Sequence, residues 1–281
     1  MPAAHNGGAR IHYETSGRGP AVLLIMGLAM AASGWWRTVP VLARSFRVLT
    51  FDNRGVGRSD SSGSYSMREL AEDAVAVLDA SGEESAHVYG ISLGGMIAQE
   101  LALRHPGRVR SLVLGATTVG GPSAPHAERA TLDFFRRAAT MEPEEAIWAS
   151  VPYSYAKHKR PEDVGRIAED LARRLANPVD RGVYARQVGA GLGHDTSYRL
   201  DEVTAPALIV HGQADRVVPV DNARMLAEAI PHAELKTWPG AGHLYTTDEP
   251  KVDRHVVRFL RERTKPRPLR ERLRSVLPHS G

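Results

Sequence analysis

The stretch Gly90-Ile91-Ser92-Leu93-Gly94-Gly95 decides how the rest of this chain is read. Ahead of it, Ser85-Ala86-His87-Val88-Tyr89 has the β-branched and aromatic character of a short strand, while Gly94 through Leu103 reads as a helix. Ser92 therefore stands where a strand turns at once into a helix. Glycines on both sides remove the Cβ atoms that would collide in so tight a bend. A serine there is pushed off the sheet, its hydroxyl exposed and the positive end of a helix behind it.

Working outward, the same alternation of strand and helix runs through most of the chain. Toward the N-terminus, Ala9–Thr15 alternates and stops at Ser16-Gly17-Arg18-Gly19-Pro20. Ala21–Met26 is a continuous apolar run, as expected of a strand covered on both faces. Arg47–Asp52 is a further strand, and Met67, Leu70, Ala71, Ala74, Val77 and Leu78 mark one face of a helix. Toward the C-terminus, strands are expected at Val109–Ala116, Ala207–Val210 and Ala233–Trp238, and helices at about 221–230 and 252–260. The expected fold is α/β, with a mostly parallel central sheet and helices on both faces.

Between about Thr118 and Leu200 only helical patterns occur, after the linker-like Gly120-Gly121-Pro122-Ser123-Ala124-Pro125. Gly189, Gly191 and Gly193 suggest that this segment ends irregularly, with His194-Asp195 as a turn or hinge. The expected organisation is thus a core of residues 1–117 and 201–263, a helical cap of residues 118–200 inserted into it, and a basic tail of residues 264–281. In that tail Leu269, Leu273, Val276 and Leu277 fall at helical spacing.

Composition narrows the function classes. The formal charge is +4, but the tail alone carries Lys265, Arg267, Arg270, Arg272 and Arg274 against Glu271. The remaining body is neutral, so nothing draws it to nucleic acid. With no cysteine in the chain, disulfides, thiolate metal sites and a cysteine nucleophile are excluded. No apolar run approaches the ~20 residues of a membrane span, and the N-terminus has neither part of a signal peptide. A cytoplasmic protein that acts without metal, cofactor or membrane is expected, with a homodimer left open.

The G-x-S-x-G pattern around Ser92 resembles the nucleophile elbow of α/β-hydrolases. Two further strings support that resemblance: His211-Gly212-Gln213-Ala214-Asp215-Arg216-Val217-Val218-Pro219 and Gly240-Ala241-Gly242-His243. The resemblance covers nearly the whole chain outside the cap and tail, and implies an order of Ser92, then Asp215, then His243 as nucleophile, acid and base. Both loops follow expected strands, where parallel sheets gather ligands. A serine hydroxyl is a poor nucleophile until a base, itself oriented by a carboxylate, stands beside it.

The family likeness also implies an oxyanion hole from the backbone N–H groups of Leu93 and Leu28. Relatives commonly carry His-Gly where this chain has Met26-Gly27, which makes the site more apolar. Asp52-Asn53-Arg54-Gly55-Val56-Gly57-Arg58-Ser59 is similar to the family's D-x-R-G-x-G-x-S loop, with a structural role. Met26, Trp35, Phe135, Trp148 and Tyr153 are the expected pocket residues, because aromatics concentrate in the cap and Trp35 follows the oxyanion loop. The function implied is hydrolysis of a carboxylic ester or lactone of a medium-sized hydrophobic compound, similar to the aclacinomycin methylesterase and enol-lactonase branch. Hydrolysis of a C–C bond, perhydrolysis and a non-catalytic small-molecule sensor are the alternatives.

Overall fold

The computed structural model describes residues 2–63, 65–156 and 161–264. Its strands are β1 (Ala3–Asn6), β2 (Ala9–Ser16), β3 (Ala21–Ile25), β4 (Arg47–Phe51), β5 (Ala86–Ile91), β6 (Val109–Gly115), β7 (Ala207–Gly212) and β8 (Glu234–Trp238). They form one sheet in the order β1-β2-β4-β3-β5-β6-β7-β8. From β4 to β8 all neighbours are parallel, whereas β2 pairs antiparallel with β1 and β4. The β1–β2 hairpin turns through Gly7 and Gly8, both at positive φ. That Gly-Gly pair is the one signal for β1 in the sequence, where the strand was not expected.

Helices follow in chain order as α1 (Thr38–Leu42), α2 (Met67–Ala80) and α3 (Leu93–Arg104). Between β6 and β7 come α4 (Arg129–Ala138), α5 (Pro143–Ala149), α6 (Val151–Ser154), α7 (Pro161–Leu175) and α8 (Arg181–Leu192). The chain ends with α9 (Asp221–Ala229), α10 (Tyr245–Asp248) and α11 (Lys251–Thr264). Apolar residues of β3 alternate between two cores. Leu23 and Ile25 pack with Leu70, Val77, Ile97 and Leu101 of α2 and α3, and Val22 and Leu24 with Leu42, Val256 and Phe259 of α1 and α11. A strand buried on both faces needs an unbroken apolar run, which is what β3 has.

The β6–β7 insertion is fastened where it leaves and rejoins the sheet. Gly120 bridges to Asp195, Gly121 N donates to His194 O at 3.0 Å, and Thr196 N donates to Val119 O at 2.9 Å. Gly120 has φ +74°, and a Cβ there would lie 2.0 Å from His194 O. The glycine pair is therefore a pinned crossing rather than a loose linker. The irregular end expected around Gly189 and Gly191 is instead the last turn of α8. Asp180 caps that helix by accepting from Gly182 N and Val183 N, and buried Val183 and Gln187 hold its inner face. The expected tail helix beyond Thr264 lies outside the described residues. Among the described residues no helix is long and apolar enough to cross a membrane.

Candidate active site

Ser92 caps the start of α3 with φ 55° and ψ −121°, a conformation that costs a non-glycine residue on the order of 1–3 kcal/mol. The surroundings leave no alternative. A Cβ on Gly90 would lie 2.1 Å from Gly94 O, and one on Gly94 would lie 2.1 Å from Ile25 O. Ser92 N donates to Gly115 O at 2.8 Å, and Thr117 Oγ1 donates to Ser92 O at 2.7 Å. The turn is locked between β3, β5 and β6, and the hydroxyl faces outward.

His243 reaches that hydroxyl from the loop after β8, with Nε2 2.9 Å from Ser92 Oγ. Its Nδ1 stands 2.8 Å from Asp215 Oδ2, in the loop after β7. The Asp215 side chain is fully enclosed. Burial alone would raise its pKa, but the facing imidazoles of His243 and His211 hold the carboxyl down at about 2. Val217 N and Val218 N donate to Oδ1 at 2.8 and 2.9 Å. His211 Nε2 lies 2.9 Å from Val218 O and 3.2 Å from Asp215 Oδ2. Both neighbours are acceptors, so Nε2 carries the proton, consistent with Nδ1 having no partner among the described residues. An ionised Asp215 in turn requires the proton on Nδ1 of His243, leaving Nε2 free to accept from Ser92.

Leu93 is the first residue of α3, so its N–H has no acceptor within the helix. Leu28 lies on the loop after β3, which passes close under Ser92: a Cβ on Gly27 would be 3.2 Å from Ser92 Cβ. The Asp52–Ser59 loop holds this segment from behind. Asn53 Nδ2 donates to Met26 O at 2.8 Å, and Asp52 Oδ1 accepts from Ala32 N at 2.8 Å. Gln187 of α8 is the residue that sequence reasoning missed. Completely buried, it accepts from Ala29 N at 2.9 Å and donates to Arg54 O at 3.3 Å. Ala29 sits at φ 52°, so this bond holds a strained residue next to Leu28. Nothing in the local sequence marks one glutamine of an insertion helix as a tie to a loop 158 residues earlier.

Ser92 and His243 open on a cavity walled by Met26, Leu28, Met30, Ile91, Phe134, Phe135, Met141, Ile147 and Leu244. Of the expected pocket residues, Met26 and Phe135 line it. Trp35 does not: it is buried against Tyr89 at a ring separation of 4.9 Å and borders a second, adjoining cavity. Tyr153 is stacked behind Phe134, with centroids 4.4 Å apart. Trp148 is 52% exposed and lines neither cavity. Trp35, Tyr153 and Trp148 thus lie off that lining, the last two because α5 and α6 are short helices that turn only part of their surface toward the cavity. His194, the other histidine beside an aspartate, is buried at the insertion's root, where burial lowers its pKa to about 4. Among the described residues no group of three or more His, Asp or Glu side chains is placed to hold a metal ion.

Residues 20–250 match the alpha/beta hydrolase fold family. A proposed carbamate hydrolase, RutD, of Azorhizobium caulinodans is 32% identical over 254 residues, covering 90% of this chain and 95% of the relative. The crystal structure of an enol-lactonase from Burkholderia xenovorans LB400 has the same fold, with a TM-score of 0.82 and 24% identity over 92% of this chain and all of that one. Est816, described as an N-acyl homoserine lactone degrading enzyme, matches with a TM-score of 0.77 and 29% identity over 92% of this chain and 99% of that one.

Proposed function

The chain belongs to the alpha/beta hydrolase fold family, and on that footing we propose that it is a serine hydrolase working through an acyl-enzyme. The observation that carries the reading is the line from Ser92 Oγ through His243 to Asp215, with separations of 2.9 and 2.8 Å, at the mouth of an apolar cavity. Ser92 Oγ attacks the acyl carbon as His243 Nε2 takes its proton, and His243 then protonates the departing oxygen or nitrogen. Asp215 stabilises the imidazolium without taking the proton itself. The Leu93 and Leu28 amides receive the oxyanion, a role that a backbone donor fills whether His or Met precedes Gly27. Water, deprotonated by the same histidine, releases the acid and restores Ser92.

In this reading residues 118–200 form a cap that shapes the substrate cavity, while residues 1–117 and 201–263 carry the chemistry. The substrate is a carboxylic ester or lactone of a medium-sized hydrophobic compound. The 32% identity to the RutD relative favours a carbamate as the second reading. A fluorophosphonate probe tests the nucleophile, and a panel of p-nitrophenyl esters, lactones and aryl carbamates tests the bond cleaved. Labelling at Ser92 and turnover of at least one class are expected. A protein that is neither labelled at Ser92 nor active on any class would be no serine hydrolase.

A further inference from the structure

Arg174, on α7, lines the same cavity as Ser92 and His243, in a wall that is otherwise mainly apolar. Its Nη1 donates to Ser150 Oγ at 3.0 Å. Ser150 O accepts from Ser154 N at 2.9 Å, and Ser154 O accepts from Leu244 N, the residue after His243, also at 2.9 Å. The guanidinium is thus anchored one turn of α6 away from the loop that carries His243.

Among the described residues no carboxylate answers its charge. Arg181, the other arginine on the lining, pairs with Glu142, and Arg37 pairs with Glu169 and Asp170. No such pairing to a carboxylate occurs for Arg174 among the described residues. Asp170 stands one turn earlier on α7, but its oxygens receive Trp36 Nε1 at 2.9 Å, Tyr155 OH at 3.4 Å and Thr247 Oγ1, with Arg37 Nε at 3.5 Å. Tyr155 also lies near Arg174. Burial pushes its phenol up, so it remains a neutral hydroxyl. Ser150 therefore aims the guanidinium, and neither it nor Tyr155 neutralises the charge. A cation held against apolar walls without an anion is costly, and a planar carboxylate is the group its forked donors fit.

We propose that Arg174 is the recognition site for a carboxylate that the substrate carries in addition to its scissile acyl group. The substrates are then half-esters, half-amides or carboxylated lactones whose hydrocarbon portion spans the apolar wall between Ser92 and Arg174. This rests on the serine-hydrolase reading above.

The test compares the p-nitrophenyl monoesters of glutaric, adipic and pimelic acid with neutral isosteres in which an isopropyl group replaces the terminal carboxylate. Wild type should prefer the charged member of at least one pair by roughly 10- to 100-fold in kcat/KM, the worth of a partly desolvated charge-assisted pair. Arg174→Met should erase that ratio. Arg174→Lys, which keeps the charge without the fork, should retain part of it and guards against simple unfolding. Arg181→Met should leave the ratio where it is. A wild type that prefers the neutral ester at every length, or an Arg174→Met variant with an unchanged ratio, overturns the proposal while neutral-ester turnover leaves the hydrolase reading intact. If neither series is turned over and Ser92 resists the fluorophosphonate, the hydrolase reading fails and takes this site with it.

Discussion

The sheet and its flanking helices differ from the β6–β7 insertion in how closely each position is constrained. Around Ser92 an added Cβ at Gly90, Gly94 or Gly95 would meet backbone or side chain at 2.1–2.5 Å, so these positions admit little but glycine. In the insertion, Gly165 and Gly189 meet nothing within 4 Å. Strands β3, β5 and β7 are buried at every position, whereas α5 has no fully buried residue. The first region leaves its backbone little room to vary. The second leaves more, and is therefore where the shape and charge of a cavity can change without disturbing the hydroxyl at its mouth.

The division is broken most severely by touching Ser92 or Asp215. Ser92→Ala should fold normally and lose at least ~10³-fold in kcat, since only binding and oxyanion stabilisation remain. Asp215→Asn should lose roughly 10³- to 10⁴-fold, because an amide favours the wrong tautomer of His243. Ester turnover with thermal melting curves checks both. If an insertion variant such as Phe135→Ala cost as much, chemistry and cavity shape would not be separable along this line.

Gln187 is where the two regions meet, so it sharpens the comparison next. Gln187→Leu keeps the volume but deprives Ala29 N and Arg54 O of their partner, costing about 1–3 kcal/mol in stability. If α8 helps to aim the Leu28 amide, kcat should also fall by roughly tenfold or more with little change in KM, a fraction of what losing an oxyanion donor outright costs. A lower melting temperature with unchanged kcat would show that Asn53 and Asp52 position the loop unaided.

The same contrast explains what could be read in the sequence. The elbow, the strands of the parallel part and the loops of Asp215 and His243 were legible because each depends on local chemistry: glycines in a tight turn, apolar runs, a loop after a strand. β1 was missed because four residues of mixed character carry little pattern beyond their Gly-Gly turn. The pocket was only half legible. Phe135 and Trp148 look alike as aromatic residues of one amphipathic region, and only the packing of α4 and α5 decides which faces inward. Gln187 and Arg174 were invisible for a related reason, since a long-range tie or a missing counter-ion is a property of three-dimensional neighbours.

Acid titration separates the two regions with a smaller effect. His87, in the sheet beside Ser111, and His194, at the insertion's root, are both lowered to about 4 by burial. A histidine whose folded pKa is depressed binds fewer protons folded than unfolded, so its stabilisation is complete above about pH 6.5 and is lost as pH falls toward 4. Each should withdraw about 1–3 kcal/mol over that window. Asp253, raised to about 6 by burial, works in the opposite direction between about pH 6 and 4 and offsets part of the loss. Melting temperature should therefore fall from pH 7 to pH 4.5, and His194→Leu should flatten the slope. A slope unaffected by that change would mean the insertion's root opens before His194 titrates.

The smallest effect expected is at Trp148, and it tests whether the insertion's aromatics act by position or by composition. Trp148 is 52% exposed and touches neither cavity, so Trp148→Ala should change stability by no more than about 0.5 kcal/mol and leave relative kcat/KM for acetate, octanoate and benzoate esters unaltered. Phe135 is the internal control, because its ring lines the cavity. Phe135→Ala should penalise octanoate and benzoate over acetate, by as much as ~2 kcal/mol if the ring packs on the acyl group. Parallel changes in both variants would mean that Trp148 reaches the substrate in the working enzyme, through a movement of α5. A shift in Phe135→Ala alone would tie specificity to the one face of the insertion that looks onto Ser92.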